Sequence, residues 1–244
     1  MGRILVLVYG VISYLIFLVT FLYAIGFVGN LIVPKAIDTG PPAATLTRAL
    51  IMNIALLSIS AIQHSVMARP AFKIRWTRFV PQAIERSTFV LFSSLAPILL
   101  FWQWRSMTYV IWDVQNTVGM YVLWALFFLG WGTVLLSTYL INHFDLFGLR
   151  QVYLYSKNQE YTDLGFREIL LYKIVRHPIM LGFIIAFWAT PRMTSGHLLF
   201  AAVTTVYILV AIQLEEHDSV NIHGELYEDY RKRVSMIVPI PRKG

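Results

Sequence analysis

The sequence contains no cysteine and few charged residues, and both absences exclude whole classes of protein. Without cysteine there is no disulfide framework, no thiolate metal ligand and no cysteine nucleophile. Charged residues make up 14% of the 244 residues, whereas soluble proteins carry about 25%. Hydrophobic residues make up 57%, which is more than one core of this size can bury. The composition therefore predicts a protein that is solvated by lipid.

Five uncharged runs are long enough to cross a membrane as helices, which takes about 20 residues with a range of about 17–25. A sixth run, 177–191, has only 15 residues and ends in the turn sequence "PRMTSG". It predicts the short leg of a helical hairpin. The expected fold is an all-α integral membrane protein with five long transmembrane helices, this short C-terminal hairpin leg, and cytoplasmic loop and tail helices. The five long runs are 4–34, 49–68, 87–104, 114–144 and 193–214.

The net charge of +7 fits a membrane orientation better than nucleic-acid binding, which we do not expect. With six crossings and a cytoplasmic N-terminus, 16 of the 20 Lys and Arg residues fall on the cytoplasmic side. We therefore predict a multi-pass protein of the cytoplasmic (inner) membrane with both termini in the cytoplasm. It would form one domain over 1–244, and its oligomeric state is left open. The expected parts are a transmembrane bundle (4–140), a cytoplasmic connection (141–176), the hairpin (177–214) and a cytoplasmic tail (215–244).

Four polar clusters lie near the predicted cytoplasmic ends of these runs. Ionisable residues at membrane depth are costly and usually mark a site or a paired contact. Each cluster alone also fits an ordinary helix end, but together they predict a pocket open to the cytoplasm. The six histidines show neither H-x-x-H nor H-E-x-x-H spacing, so we expect no metal. The clusters are His64; "NHFDLFGLRQ" with His143 and Asp145; Arg176 with His177; and "EEHD" with Glu215 and Glu216.

The motif order in the last 70 residues resembles the membrane methyltransferases grouped with isoprenylcysteine carboxyl methyltransferase and phospholipid N-methyltransferases. Their signature is R-H-P-x-Y-x-G, a hairpin, a glutamate pair, then F/Y-G-x-x-Y-x-x-Y and a proline. Met180 stands where tyrosine is usual. The stretches "QHSVMARPAFK" and "NHFDLFGLRQVYL" are similar to the NnrU-like branch, in particular to bacterial methanethiol S-methyltransferases. The matching residues are Arg176, His177, Pro178, Gly182, Glu215, Glu216, Gly224, Tyr227, Tyr230 and Pro239.

The resemblance implies methyl transfer from S-adenosylmethionine to a small thiol, methanethiol, giving dimethyl sulfide. Arg176 and His177, at a helix start, would hold the carboxylate of the cofactor. Glu215 and Glu216 would accept from its ribose hydroxyls or its amino group. The motif also places Pro178 and Gly182 in the cofactor site, and Tyr227 and Tyr230 would pack against adenine or close the site.

The sulfur nucleophile must be a thiolate, so the reaction requires a base or cationic stabilisation of the thiolate. His64, His143 and Asp145 are the candidates, and a His–Asp pair would make the imidazole more basic. One alternative is a methyltransferase that acts on a lipid, an amine or a prenylated thiol. An alternative of another class is a haem-binding NnrU-like membrane protein or isomerase, with His64 as the axial ligand.

Overall fold

The computed structural model describes residues 2–42, 45–162 and 164–239. Along the chain the elements are α1 (Arg3–Gly29), α2 (Leu46–Ala68), α3 (Pro70–Trp76), α4 (Gln82–Gln103), β1 (Val110–Asp113), α5 (Thr117–Ile141), α6 (His143–Leu146), α7 (Leu149–Ser156), a 3-10 turn (Leu170–Lys173), α8 (Pro178–Trp188), β2 (Arg192–Thr194), α9 (Ser195–His223) and α10 (Glu225–Arg233).

Five of these helices, α1, α2, α4, α5 and α9, are long and apolar enough to cross a membrane, and they coincide with the five predicted runs. The chain is a multi-pass membrane protein, and the predicted all-α class is confirmed. Two compact units form. One comprises Met1–Thr108 with Asn142–Leu164, and the other comprises Tyr109–Ile141 with Gly165–Gly244. The expectation of one domain over 1–244 stays a prediction.

In the first unit, α1 packs against α4 and α7, and α2 packs against α4. Gly10 makes the contact between α1 and α7 close, since a Cβ there would lie 2.5 Å from a methyl carbon of the buried Val152. The fully buried Asn53 of α2 donates its amide to the Arg105 carbonyl at 2.8 Å and accepts from the Arg105 N–H at 2.9 Å. These bonds satisfy backbone groups just after α4, where lipid could not.

In the second unit, α5 and α8 pack at two glycines. A Cβ on Gly182 would lie 2.7 Å from the Gly130 carbonyl oxygen and 2.9 Å from the Val134 nitrogen. A Cβ on Gly130 would in turn lie 2.6 Å from the Ala186 nitrogen. Small residues at such positions let helix backbones approach closely in a bilayer, where no hydrophobic force holds helices together.

The sequence did not predict the antiparallel pairing of β1 with β2, in which Val110 lies opposite Thr194 and Asp113 opposite Arg192. The pairing places the end of the short hairpin leg beside the start of α5. Because α8 has 11 residues, it rises only about 16 Å, roughly half of a hydrocarbon core. The extended residues between the end of α8 and β2 lengthen this leg of the hairpin. Its end therefore lies beside β1, next to the start of α5.

The last long helix, α9, continues to His223, nine residues beyond the predicted end of the hairpin at residue 214. Glu215 and Glu216 follow the uncharged run and therefore lie in the interior of this helix, not at its end. The sequence between 214 and 224 has no helix breaker, and Gly224, with φ of +56°, ends the helix. The predicted tail helix follows at once as α10.

Candidate functional site

In the second unit, the "RHP" motif lies beside the C-terminal tail. The Arg176 N–H donates to the Ser235 carbonyl at 2.8 Å, and the His177 N–H donates to the Met236 carbonyl at 3.1 Å. Pro178 begins α8, where its missing N–H costs nothing. Two segments that are about 60 residues apart in sequence therefore run side by side, and their side chains reach a common centre.

That centre is the carboxylate of Glu216. Arg176 contacts its Oε1 through Nε at 2.7 Å and Nη2 at 2.6 Å, and Arg231 contacts its Oε2 through Nε at 3.1 Å. His177 Nε2 lies 3.1 Å from the same Oε1. Only 6% of Arg176 and 3% of Glu216 is exposed, so both charges are buried and compensated. Arg176, His177, Glu216 and Arg231 form what we call the arginine–glutamate cluster.

Arg176 is engaged beyond this ion pair, because its Nη1 also donates to the Arg231 and Val234 carbonyls. Two other side chains offer charge at the surface of the cluster. Glu215, whose side chain is 52% exposed, has an oxygen 3.9 Å from His177 Nδ1. The Arg231 side chain is 44% exposed. A carboxylate and a guanidinium are thus both accessible to a polar ligand beside a fixed, buried ion pair.

The two tyrosines of the tail motif pack beneath Phe166, with ring centroids 5.7 Å from Tyr227 and 5.0 Å from Tyr230. The Tyr230 hydroxyl donates to the Tyr172 carbonyl at 2.5 Å. Burial, together with the nearby Glu216 and Glu215 carboxylates, raises the pKa of Tyr227 to about 12. Burial likewise raises the pKa of Tyr230. Both phenols are therefore neutral at physiological pH.

Two further motif residues have packing contacts in the structure. Gly182 lies at the close approach of α8 to α5. Met180, at the position where tyrosine is usual, packs against the buried side chains of Ile208, Ile212 and Ile237. Roles of Gly182 and Pro178 in cofactor binding stay predictions.

In the first unit, His143 begins the short helix α6 and is 4% exposed. Its Nε2 lies 2.8 Å from the hydroxyl of Tyr14 on α1. Its ring contacts Phe147 edge-on at 4.8 Å and Phe144 at 5.5 Å between centroids. Burial lowers the pKa of His143, so the imidazole is neutral at physiological pH. We call His143, Tyr14, Phe144 and Phe147 the His143 cluster.

The expected pairing of His143 with Asp145 is not formed within the part of the chain that the structure describes. Asp145 binds Arg150 at 3.1 Å and accepts from the Tyr161 hydroxyl at 3.2 Å. Arg150 also donates to the Thr162 carbonyl at 2.7 Å, so Asp145 helps to fasten this loop. Residues two apart on a helical turn point in different directions, which is why the pair does not form.

The third candidate base, His64, lies near the end of α2 and is exposed on the surface of that helix. Its ring centroid lies 5.1 Å from that of Phe89 on α4. His64 thus contacts Phe89 from an exposed position, whereas His143 is buried among the aromatic rings of its cluster.

Sequence reasoning missed Tyr14 and Arg231 as partners of the predicted site residues. Tyr14 lies inside an uncharged run and is 129 residues from His143, so no local pattern marks it. Arg231 belongs to the basic run "YRKR", where its neighbours Lys232 and Arg233 instead pair with Asp229 and Glu168. Only the helical register of α10 distinguishes Arg231 from these two.

The fold and the arginine–glutamate cluster define a multi-pass helical membrane protein whose "RHP" and glutamate motifs meet at one buried ion pair. The chain is 58% identical over 243 residues to the methanethiol S-methyltransferase of Mycobacterium tuberculosis, covering 100% of this chain and 99% of that one. It is 55% identical to the enzyme of the same name from Crocosphaera subtropica, over 98% of this chain and 93% of the relative. The chain belongs to the methanethiol S-methyltransferase family, as its motifs predicted.

A more distant relative is Nurim of Mus musculus, 24% identical over 190 residues, which covers 75% of this chain and 72% of the relative. No family model matches the chain. No solved structure matches it either.

Proposed function

We propose that the chain transfers a methyl group from S-adenosylmethionine to methanethiol, giving dimethyl sulfide and S-adenosylhomocysteine. The observation that carries this proposal is the match, at 58% and 55% identity over nearly full length, to relatives named for that reaction. The multi-pass fold supports it, because a small apolar thiol partitions readily into a membrane protein interior.

The arginine–glutamate cluster supports a binding site for the cofactor, which carries a carboxylate, an ammonium group, ribose hydroxyls and an adenine. The accessible Arg231 would hold the carboxylate, and the buried Arg176 would add its positive charge from behind the ion pair with Glu216. The exposed Glu215 would accept from the ammonium group or the hydroxyls. His177 and Glu216 fix the guanidinium groups in place. When bound, the cofactor supplies an electrophilic methyl group on a sulfonium.

The tyrosines would take part as neutral groups. Tyr227 and Tyr230 are buried against Phe166 and form an aromatic support on which an adenine or a sulfonium would rest. Burial keeps their pKa values high, so neither would place a phenolate beside Glu216.

The reaction is an in-line displacement that needs a thiolate. A base takes the S–H proton, and the thiolate sulfur then forms a bond to the methyl carbon. The bond from that carbon to the sulfonium breaks, and its electron pair stays on the departing sulfur. We assign the base to His143, because it is buried, neutral and enclosed by aromatic rings. A desolvated site also keeps water away from the reacting groups.

Headspace analysis tests the proposed reaction directly. Membranes from cells that express the chain, given methanethiol and S-adenosylmethionine, are expected to release dimethyl sulfide and to form S-adenosylhomocysteine in equal amounts. Membranes from cells with the empty vector are the control. A folded protein whose dimethyl sulfide matches this control would contradict the proposal.

The adjacent glutamates provide a matched pair of variants for the cofactor site. We expect Glu215→Gln to weaken binding of S-adenosylhomocysteine about tenfold, which is about 1.4 kcal/mol, with little change in melting temperature. Glu216→Gln removes the charge that compensates the buried Arg176, so it is expected to cost about 3–5 kcal/mol of stability. Calorimetry and thermal melting in detergent measure the two effects.

The exposed Glu225→Gln, on α10, is the control and should change neither quantity. Cofactor binding that is unchanged in Glu215→Gln would remove Glu215 from the proposed site.

A further inference from the structure

A short basic connection joins α2 to α4 in the first unit. Its helix α3 covers Pro70–Trp76, and backbone bonds of the helical type continue to Val80, whose N–H donates to the Trp76 carbonyl at 3.0 Å. We call residues 70–80 the basic segment. Because α2 and α4 are both long and apolar enough to cross a membrane, the segment between them lies at a membrane surface.

One side of the basic segment faces the protein. Val80 packs against the buried cluster that contains Val6 and Ile84. Trp76 stacks on Phe72, with ring centroids 5.6 Å apart, and both side chains are half-buried. Residues 72, 76 and 80 are four apart, so they share one face of the helical segment.

The opposite side is exposed and carries both charge and apolar surface. Ile74 is 66% exposed and Phe79 is 85% exposed. Arg75 and Arg78 are also exposed, and the helical register places them between these two apolar side chains. Within residues 2–42, 45–162 and 164–239, neither of the two guanidinium groups forms an ion pair or a hydrogen bond.

We propose that this exposed face binds anionic phospholipids, with Arg75 and Arg78 on the headgroup phosphate and with Ile74 and Phe79 at the boundary of the acyl chains. The inference does not depend on the proposed methyl transfer. It goes beyond the general contact of a membrane protein with lipid, because it assigns a preference for headgroup charge to one face of one segment.

Charge complementarity favours an anionic lipid as the occupant. The stretch 69–80 has four basic residues and no acidic one. Helices that combine cations with exposed apolar side chains lie in the plane of the membrane interface, with the cations at the headgroups. A guanidinium binds a phosphate through parallel N–H donors. Phosphatidylglycerol offers that phosphate with its full negative charge, whereas the ammonium of phosphatidylcholine compensates it.

Native mass spectrometry of the full chain in a neutral detergent tests this preference. The probes are phosphatidylglycerol and phosphatidylcholine with the same acyl chains. We expect the wild type to bind phosphatidylglycerol about tenfold or more tightly, since each cation near an anionic lipid surface contributes about fivefold. The double variant Arg75→Gln/Arg78→Gln should lose most of this preference and should bind phosphatidylcholine as the wild type does.

The matched control is Arg48→Gln/Arg192→Gln, which removes the same charge from two exposed positions on other elements. Arg48 lies in the first turn of α2, at the opposite end of that helix from the basic segment. This control should keep the preference for phosphatidylglycerol. Phe79→Ser should instead weaken the binding of both lipids alike, because it removes an apolar anchor and leaves both guanidinium groups. Melting temperatures without added lipid check that each variant is folded.

Two measurements need only the wild-type protein. Sodium phosphate should displace no more phosphatidylglycerol than sodium chloride of the same ionic strength, since a soluble phosphate lacks acyl chains. A photoreactive phosphatidylglycerol should form cross-links within residues 70–80.

Equal affinity of the wild type for the two lipids, or an equal loss of preference in the control variant, would overturn the proposal. Displacement by phosphate beyond the effect of chloride would also overturn it, because the site would then be one for a soluble anion. Cross-links confined to other segments would do the same. None of these outcomes bears on methyl transfer, which the headspace measurement tests separately.

Discussion

At the scale of single residues, burial sets how His143 responds to pH. Burial lowers the pKa of its imidazole below the ordinary value of 6.5. Above that value the ring is neutral in both the folded and the unfolded chain, so it contributes nothing to pH dependence. As the pH falls below it, the unfolded chain binds a proton that the folded chain resists, and the free energy of unfolding falls.

This linkage gives a prediction that does not depend on activity. We expect the melting temperature of the wild type to fall between about pH 7.5 and about pH 5, and that of His143→Gln to fall by less. In free energy of unfolding, the loss that is due to His143 is about 1.4 kcal/mol for each pH unit by which folding lowers the pKa of its imidazole. Both proteins are melted side by side in the same detergent. The other titratable groups are common to the two proteins, so their contributions cancel in the difference between the two melting curves. Equal slopes in the two proteins would show that His143 titrates normally.

Charged residues of the site were predictable, whereas their partners were not. Arg176 and Glu216 stand out in the sequence because a charged residue beside an apolar run is costly in a membrane and usually marks a functional site or an ion pair. Their mutual contact at 2.6 Å joins residues 40 apart and depends on how α8 and α9 pack. Tyr14 is harder still, because a tyrosine in an apolar helix looks like any other membrane-facing aromatic side chain.

At the scale of elements, the contact between α5 and α8 depends on two glycines, and Gly182 tests it. We expect Gly182→Ala to cost about 1–3 kcal/mol, because the new methyl group would lie within 3 Å of the α5 backbone. Gly132→Ala on α5 is the matched control: a Cβ there meets nothing within 4 Å, and alanine favours helix by up to about 1 kcal/mol. Thermal melting in detergent measures both.

The same pair of variants separates packing from ligand contact at Gly182. If Gly182 acts only in packing, the Gly182→Ala protein that remains folded should bind S-adenosylhomocysteine as tightly as the wild type. A Gly182→Ala protein with wild-type melting temperature and weakened binding of S-adenosylhomocysteine would instead assign Gly182 to the cofactor site.

The long helices could be predicted from sequence because a membrane span depends on composition over about 20 residues, which a charge-free run reports directly. The ends of the elements depend on finer features. The end of α9 was misplaced because a drop in hydrophobicity marks where a helix leaves lipid, not where it stops being a helix. The β1–β2 pair escaped notice because its two strands have only four and three residues, and they are about 80 residues apart.

At the scale of the whole molecule, the distribution of positive charge predicts which side of the membrane each connection faces. Basic residues cluster in the connections at 69–86 and 150–176 and in the tail, which would all face the cytoplasm. The pairing of Arg192 with Asp113 in β1–β2 adds an independent constraint, since both residues must lie at the same membrane face.

Topology can be tested cleanly because the chain has no cysteine, so each introduced cysteine is the sole target for a thiol reagent. We expect a membrane-impermeant maleimide to label Arg48→Cys and Arg192→Cys in intact cells. We expect it to label Lys157→Cys only after the membrane is permeabilised. All three positions are exposed in the structure, so accessibility depends on sidedness rather than on burial.

Arg192→Cys is the decisive variant. A chain with six crossings places residue 192 outside the cell, whereas a chain with five crossings and a re-entrant hairpin does not bring it to the outer face. The shortness of α8, which spans about half of the hydrocarbon core, favours a re-entrant leg. The pairing of Arg192 with Asp113 favours a full crossing, because it places Arg192 at the membrane face where α5 begins. Labelling of Arg48→Cys without Arg192→Cys in intact cells would contradict six crossings. Labelling of Lys157→Cys in intact cells would reverse the orientation and place the proposed cofactor site on the wrong side for a cytoplasmic methyl donor.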